Sequence, residues 1–322
     1  MKFRTEYAAA RGGFALEAGD EAFAAGSCFA EHIVARLRDA WIRVEANPTG
    51  ILFNPLSIAR MLGDLYAGRR WGPEDLECDG GMWFDFDHHG SFSGPDRDEV
   101  LKTMNASAER ASAALERASA AVITFGTAWV YRLAAGGRPV ANCHRQPAAR
   151  FVRSLAGVDE ICAAWDGVLR GPLAGKRVVL TVSPVRHLAD GFAGNSLSKA
   201  VLRLAAQRLA DGCEAVEYFP AFEIVTDDLR DYRFYGEDMA HPTAQAAGYV
   251  WEKFAQTYLG ARTLAQLPRL EKLSAALRHR PLHPGAEEGK VFRDSTLALA
   301  RELAARFPEA DFSAVQERFG DG

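Results

Sequence analysis

Two short runs constrain this chain more than any others: Ala-Ala-Val-Ile-Thr-Phe-Gly at 120–126 and Arg-Val-Val-Leu-Thr-Val-Ser-Pro at 177–184. Both are apolar at consecutive positions rather than alternate ones. A strand with one wet face would alternate, so these runs predict strands covered on both faces, as in a parallel sheet between helical layers. Weaker runs at 21–26, 41–45 and 213–219 add three further strands. Helical periodicity falls between them. Phe29, Ile33, Val34 and Leu37 recur at three- and four-residue spacing within 27–39, and 55–67, 98–118, 196–210 and 243–258 also read as helices. Strands alternating with helices imply right-handed βαβ crossovers. The expected class is therefore α/β, a three-layer α/β/α arrangement on a mainly parallel five-stranded sheet.

At 322 residues the chain suggests one large domain or a domain plus a smaller one, because single cores stop growing at roughly 250–300 residues. We place a catalytic-type domain at 1–262, with a helical insertion at about 55–118, and a helical C-terminal extension at 263–322. In that extension 264–277 and 291–306 read as helices around a turn-rich stretch at 280–285. Residues 69–97 show no clear period and read as a long surface loop. The net charge of −4 gives no support to nucleic-acid binding. No apolar run reaches the roughly 20 residues of a membrane span, and the start lacks the apolar core of a secretory signal. The five cysteines are widely spaced and include no CxxC pair, so a disulfide framework and a zinc ribbon are not expected and a reducing cytoplasm is. Without a Walker loop, or GxGxxG after a strand, no nucleotide cofactor is expected, nor any other.

The pentapeptide Gly26-Ser27-Cys28-Phe29-Ala30 falls where the first strand turns into the first helix. Ligands of open α/β sheets bind at the carboxyl ends of strands, and a helix N-terminus favours negative charge. Ser27 there either caps the helix or serves as a nucleophile. Cys28 is a second nucleophile or a packing residue. One residue along a helix rotates a side chain by about 100°, so only one of the two can face a common base. Asp238 and His241 follow the last strand at a spacing that lets the carboxylate orient the imidazole, which can then take and return a proton. The other reading is an Asp cap beside a surface histidine. Asp85, Asp87, His88 and His89 cluster without metal-ligand spacing, and no metal is expected; a substrate-facing loop, with His89 among its contacts, and a solvated loop are the two readings. Arg186, at the end of the fourth strand, either clamps an anionic substrate group or pairs internally with Asp190 or Asp231.

Taken together, these signals fit the SGNH (GDSL-like) hydrolases, a flavodoxin-like fold. More closely, the chain resembles the GSCFA family, whose pentapeptide stands intact at 26–30. Phe53-Asn54-Pro55, Phe125-Gly126-Thr127-Ala128, Ala141-Asn142-Cys143-His144, Val182-Ser183-Pro184-Val185-Arg186-His187 and the run from Leu229 to Tyr235 leading into Asp238-x-x-His241 also look like that family. The resemblance implies Ser27 as nucleophile, His241 as base and Asp238 as its orienter. The superfamily's Gly-x-Asn oxyanion donor is missing, because Gly126-Thr127-Ala128 stands there. Ser27 N–H, Asn142, Gly50 and Asn54 are the candidate replacements, and turn chemistry is the competing reading for the last two. The expected function is esterase or O-acyltransferase chemistry on a small-molecule or glycan acyl ester through acyl-Ser27. The alternatives are a non-catalytic binding module and Cys28-dependent acyl transfer. Nothing in the sequence sets the oligomeric state.

Overall fold

A computed structural model describes residues 4–280 and 287–320. The turn expected at 280–285 therefore lies, beyond Arg280, outside the described residues. The strands are β1 (Glu21–Gly26), β2 (Arg43–Ala46), β3 (Glu77–Asp79), β4 (Met82–Phe84), β5 (Ala120–Phe125), β6 (Trp129–Leu133), β7 (Pro139–Val140), β8 (Phe151–Leu155), β9 (Arg177–Val182) and β10 (Val216–Phe219). The helices are α1 (Cys28–Asp39), α2 (Pro55–Tyr66), α3 (Arg97–Arg117), α4 (Val158–Arg170), α5 (Gly191–Gly212), the single turn α6 (Ala221–Glu223), α7 (Ala244–Tyr258), α8 (Ala261–Arg278), α9 (Glu287–Arg306) and α10 (Ser313–Phe319).

The expected five strands form the central sheet, in the order β10-β9-β5-β1-β2, within a three-layer α/β/α fold. β1, β5, β9 and β10 pair in parallel. Register puts Phe23, Ala121 and Val178 in one row and Ala25, Ile123 and Leu180 in the next. These residues share one buried core with Leu62 of α2, Met104 of α3, Trp165 of α4 and Leu202 of α5. The intervening positions Ala24, Val122 and Val179 are also buried. Burial on both faces is why β5 and β9 read as near-continuous apolar runs.

Three parts of this unit differ from the sequence reading. Residues 69–97 are not a featureless loop: they carry the β3–β4 hairpin, and Phe84, Asp85, Phe86 and His88 are buried. A small antiparallel sheet, β7-β6-β8, follows β5. Its strands carry Arg132, Arg153 and Ser154 among the apolar positions, so no clean alternation announces them. α4 was also missed, although Ile161, Trp165 and Val168 mark its buried stripe.

The chain divides into two compact units. The first comprises 1–7, 22–32 and 45–250; the second comprises 8–21, 33–44 and 251–322. The second unit has its own core of Ala18, Leu270, Leu273, Leu303, Phe307 and Val315. Trp41 lies 4.3 Å from Phe312, ring to ring, and donates its indole N–H to the Leu270 carbonyl. The helical tail thus shares its core with two segments from early in the chain. Among the described residues no helix is long and apolar enough to cross a membrane.

Candidate active site

At the carboxyl ends of the strands the first unit holds a cavity of about 920 Å³. The turn from β1 into α1 forms part of its wall. Gly26 has φ +143°, and a Cβ there would collide with the Thr124 carbonyl, so the position admits only glycine. Its N–H donates to Asn47 Oδ1 at 2.9 Å. The next two side chains diverge, as one step of a helix requires. Ser27 is 1% exposed, its hydroxyl has no hydrogen-bond partner among the described residues, and it is not on the cavity wall. Cys28 is on that wall. Of the two candidate nucleophiles the sequence offers, Cys28 is thus the one on the cavity wall, and the Ser27 hydroxyl is buried beside it. Ser27 N–H donates to Thr124 O at 3.2 Å, so this expected oxyanion donor is already engaged.

Burial pushes the Cys28 thiol above its ordinary value. The N–H groups of Phe29 and of Cys28 itself, with the charge of Lys199, act in the opposite direction. These two amides belong to the first turn of α1, where backbone donors have no partner within the helix. They can hold negative charge on sulfur or on an oxygen bonded to its substrate.

His241 lines the same cavity. It sits in a tight turn closed by Gly236 N–H to His241 O and Met239 N–H to Gly236 O. Asp238 Oδ1 accepts from the Ala240 and His241 amides at 3.0 Å each, and Asp238 Oδ2 meets His241 Nδ1 at 2.6 Å. These hydrogen bonds, that of the imidazole first, hold the Asp238 carboxyl down to about 2. With Nδ1 engaged, Nε2 is the ring nitrogen available to a proton in the cavity. The same four-residue turn occurs at Asp85–His88. There the His88 amide and Nδ1 both reach Asp85 Oδ1, at 2.8 and 2.7 Å. That pair is buried and packed edge-on against Trp71, so it braces the hairpin region. Identical local chemistry thus serves two roles, and burial decides between them.

The remaining predicted residues divide. Asn142, Asn54, His89 and Arg186 line the cavity; Gly50 does not. The Asn54 amide is spent on capping α2, accepting from Ser57 N–H at 2.8 Å and donating to Ser57 Oγ. Gly50 N–H is closed onto Asn47 O at 2.8 Å, so the turn-chemistry reading describes both. Asn142 Oδ1 accepts from His144 N–H, and no hydrogen bond of its Nδ2 is found among the described residues. Its amide is thus the side-chain donor left over. Gly50 still matters sterically. With φ +81° and the His89 Cβ pressed against the place its own Cβ would occupy, Gly50→Ala should cost about 1–3 kcal/mol in a urea melt and shift His89 from the wall.

Residues 21–254 match the GSCFA family, and residues 270–321 match the C-terminal domain of GSCFA domain proteins. The chain belongs to the GSCFA family. No curated protein matches it. The GSCFA pentapeptide itself now has a physical account at each of its first three letters: glycine for the turn, serine facing the interior, cysteine facing the cavity.

Lys199 escaped the sequence reading of this GSCFA site, whereas His187 stood in the family-like run 182–187 with no role assigned to it. Lys199, on α5, is 2% exposed and donates to the carbonyls of Gly126 and Ser183 at 2.7 Å each, beyond the carboxyl ends of β5 and β9. No carboxylate partner is found for it among the described residues, and burial pushes its ammonium down to about 7. His187 lines the cavity and is held down to about 4 by burial, with the charge of Lys199 acting in the same direction. A lysine within a helical pattern normally signals a solvated face, so its sequence gave no sign of burial.

Proposed function

We propose that the cavity carries out acyl-group transfer through a covalent acyl-Cys28 thioester, with His241 as general base and Asp238 as its orienter. The observation that carries this reading is that Cys28 and the Asp238-held His241, from distant parts of the chain, line one cavity. His241 Nε2 takes the thiol proton as Cys28 Sγ bonds to the acyl carbon. The carbonyl electron pair moves onto oxygen, which the first-turn amides of α1 and Asn142 Nδ2 are suited to receive. Collapse breaks the bond to the leaving group, which takes the proton from His241. An incoming water, hydroxyl or amine then gives its proton to His241, attacks the thioester and restores the thiol. The thiol is neutral at rest because burial raises it, so proton removal must accompany attack. This arrangement keeps the SGNH-like division of roles while moving the nucleophile from oxygen to sulfur.

The test is to incubate the protein with a p-nitrophenyl acyl ester and locate the added mass by peptide mapping. Label on the Cys28 peptide, lost in Cys28→Ala and kept in Ser27→Ala, is the expected result. The converse pattern would return the chemistry to Ser27. No label on folded protein, with small acyl compounds still binding, would leave a non-catalytic binding module.

A further inference from the structure

We infer that the cavity takes an acyl compound bearing an anionic group, carboxylate or phosphate, and that Arg186 binds this anion. The inference rests on the Cys28 reading for the reacting end of the substrate, but not for the anion site itself.

The sequence left two internal partners open for Arg186, and the structure gives both to other arginines. Asp190 pairs with Arg153, and Asp231 lies 3.7 Å from Arg233. Among the described residues Arg186 has no carboxylate partner, and it lies on the wall that Cys28 and His241 share. Its guanidinium is nonetheless held in place. Nη1 donates to Met239 O at 3.1 Å, and the rings of Phe192, Tyr232 and Tyr235 stand 5.4, 5.7 and 5.6 Å from its central carbon. Three rings and one carbonyl fix the plane of the cation without neutralising it. A guanidinium carries five N–H donors in a rigid fork, so donors remain for a carboxylate or phosphate.

The other charges on the wall reinforce the point. Asp190 is compensated by Arg153, and His187 is held neutral by burial beside Lys199. Phe192 is 76% exposed and Tyr232 64% exposed, so the rings that hold Arg186 still leave its surroundings open to an incoming ligand. The main-chain N–H of Arg186 donates to Ala240 O at 3.0 Å, which ties the backbone that carries the cation to the turn that carries His241. An anion bound here is therefore fixed relative to the proposed base.

Iodoacetate and iodoacetamide test this directly. Each transfers a methylene carbon to sulfur with loss of iodide, and they differ by one negative charge. The ratio of their rates at Cys28, followed by mass spectrometry, is compared with the ratio for 2-mercaptoethanol. We expect iodoacetate to be favoured about tenfold beyond the small thiol, with the preference lost in Arg186→Gln and weakened by salt. A ratio equal to that of the small thiol overturns the anion site and leaves the Cys28 reading standing. If neither reagent modifies Cys28, the nucleophile reading fails, and calorimetric titration with succinate and with inorganic phosphate decides the rest. Binding lost in Arg186→Gln supports the site and shows which anion it favours; absence of binding to both overturns it.

Discussion

Replacing His241 by asparagine should slow acylation of Cys28 by roughly 10²–10⁴-fold, the range typical for loss of a positioned general base. The thiol is raised by burial, so little thiolate is present at neutral pH, and attack depends on a group that accepts its proton. Asp238→Asn should give a smaller loss, because it removes the orienting charge but leaves the ring. With its carboxyl at about 2, Asp238 lies below its ordinary 3.8. Its contribution to holding the turn is therefore complete above about pH 4 and is lost as pH falls through about 2. The checking measurement is quenched-flow mass spectrometry of the Cys28 peptide with a p-nitrophenyl ester. His187→Asn is the necessary comparison, since His187 shares the wall and is neutral at pH 7. An unchanged rate in His241→Asn, with a large loss in His187→Asn, would move the base to His187.

Lys199→Met is expected to do two things that rarely go together: raise stability at neutral pH and reduce the reactivity of Cys28. A buried ammonium without a carboxylate is expensive, and here its partners are two carbonyls and the Phe222 ring 5.9 Å away. Its folded value of about 7 lies far below the ordinary 10.5. Between these values the unfolded chain binds the proton and the folded one does not, so this lysine makes stability rise with pH across that window. Below about 7 both states carry the charge and the burial cost is felt in full. Methionine removes that cost and the slope, a difference on the order of a few kcal/mol at pH 7. Urea midpoints at pH 7 and pH 10, for both proteins, would show it. The same cation opposes the rise of the Cys28 thiol, so its loss should slow iodoacetamide alkylation of Cys28 at pH 7 several-fold. A variant that is destabilised at pH 7, with alkylation unchanged, would make Lys199 a purely structural brace.

The fold was legible where burial is simplest. Strands β5 and β9 are covered on both faces, so apart from Thr124, Thr181 and the exposed Arg177 their residues are apolar at successive steps, and the run itself reports the layers. The small sheet β7-β6-β8 was not legible. Its residues mix exposed, half-buried and buried positions, and two arginines on it, Arg132 and Arg153, reach carboxylates elsewhere in the chain. Nor did any local pattern show that Ala8–Glu21 and Ile33–Val44 share a compact unit with the C-terminal helices, because sequence distance does not encode that packing.

For the site, the sequence determined which residue types meet and the local turns that hold them. Gly26 is required by backbone conformation, and an Asp-x-x-His turn forms its own hydrogen bond whatever surrounds it. What only the tertiary structure decided was direction and burial. It turned Cys28 rather than Ser27 toward the cavity, left Asp238–His241 open and enclosed Asp85–His88, and gave Asp190 to Arg153 so that Arg186 stayed unpaired. Local chemistry follows from neighbours along the chain, whereas exposure and partner choice depend on segments far apart in sequence that compete for the same space.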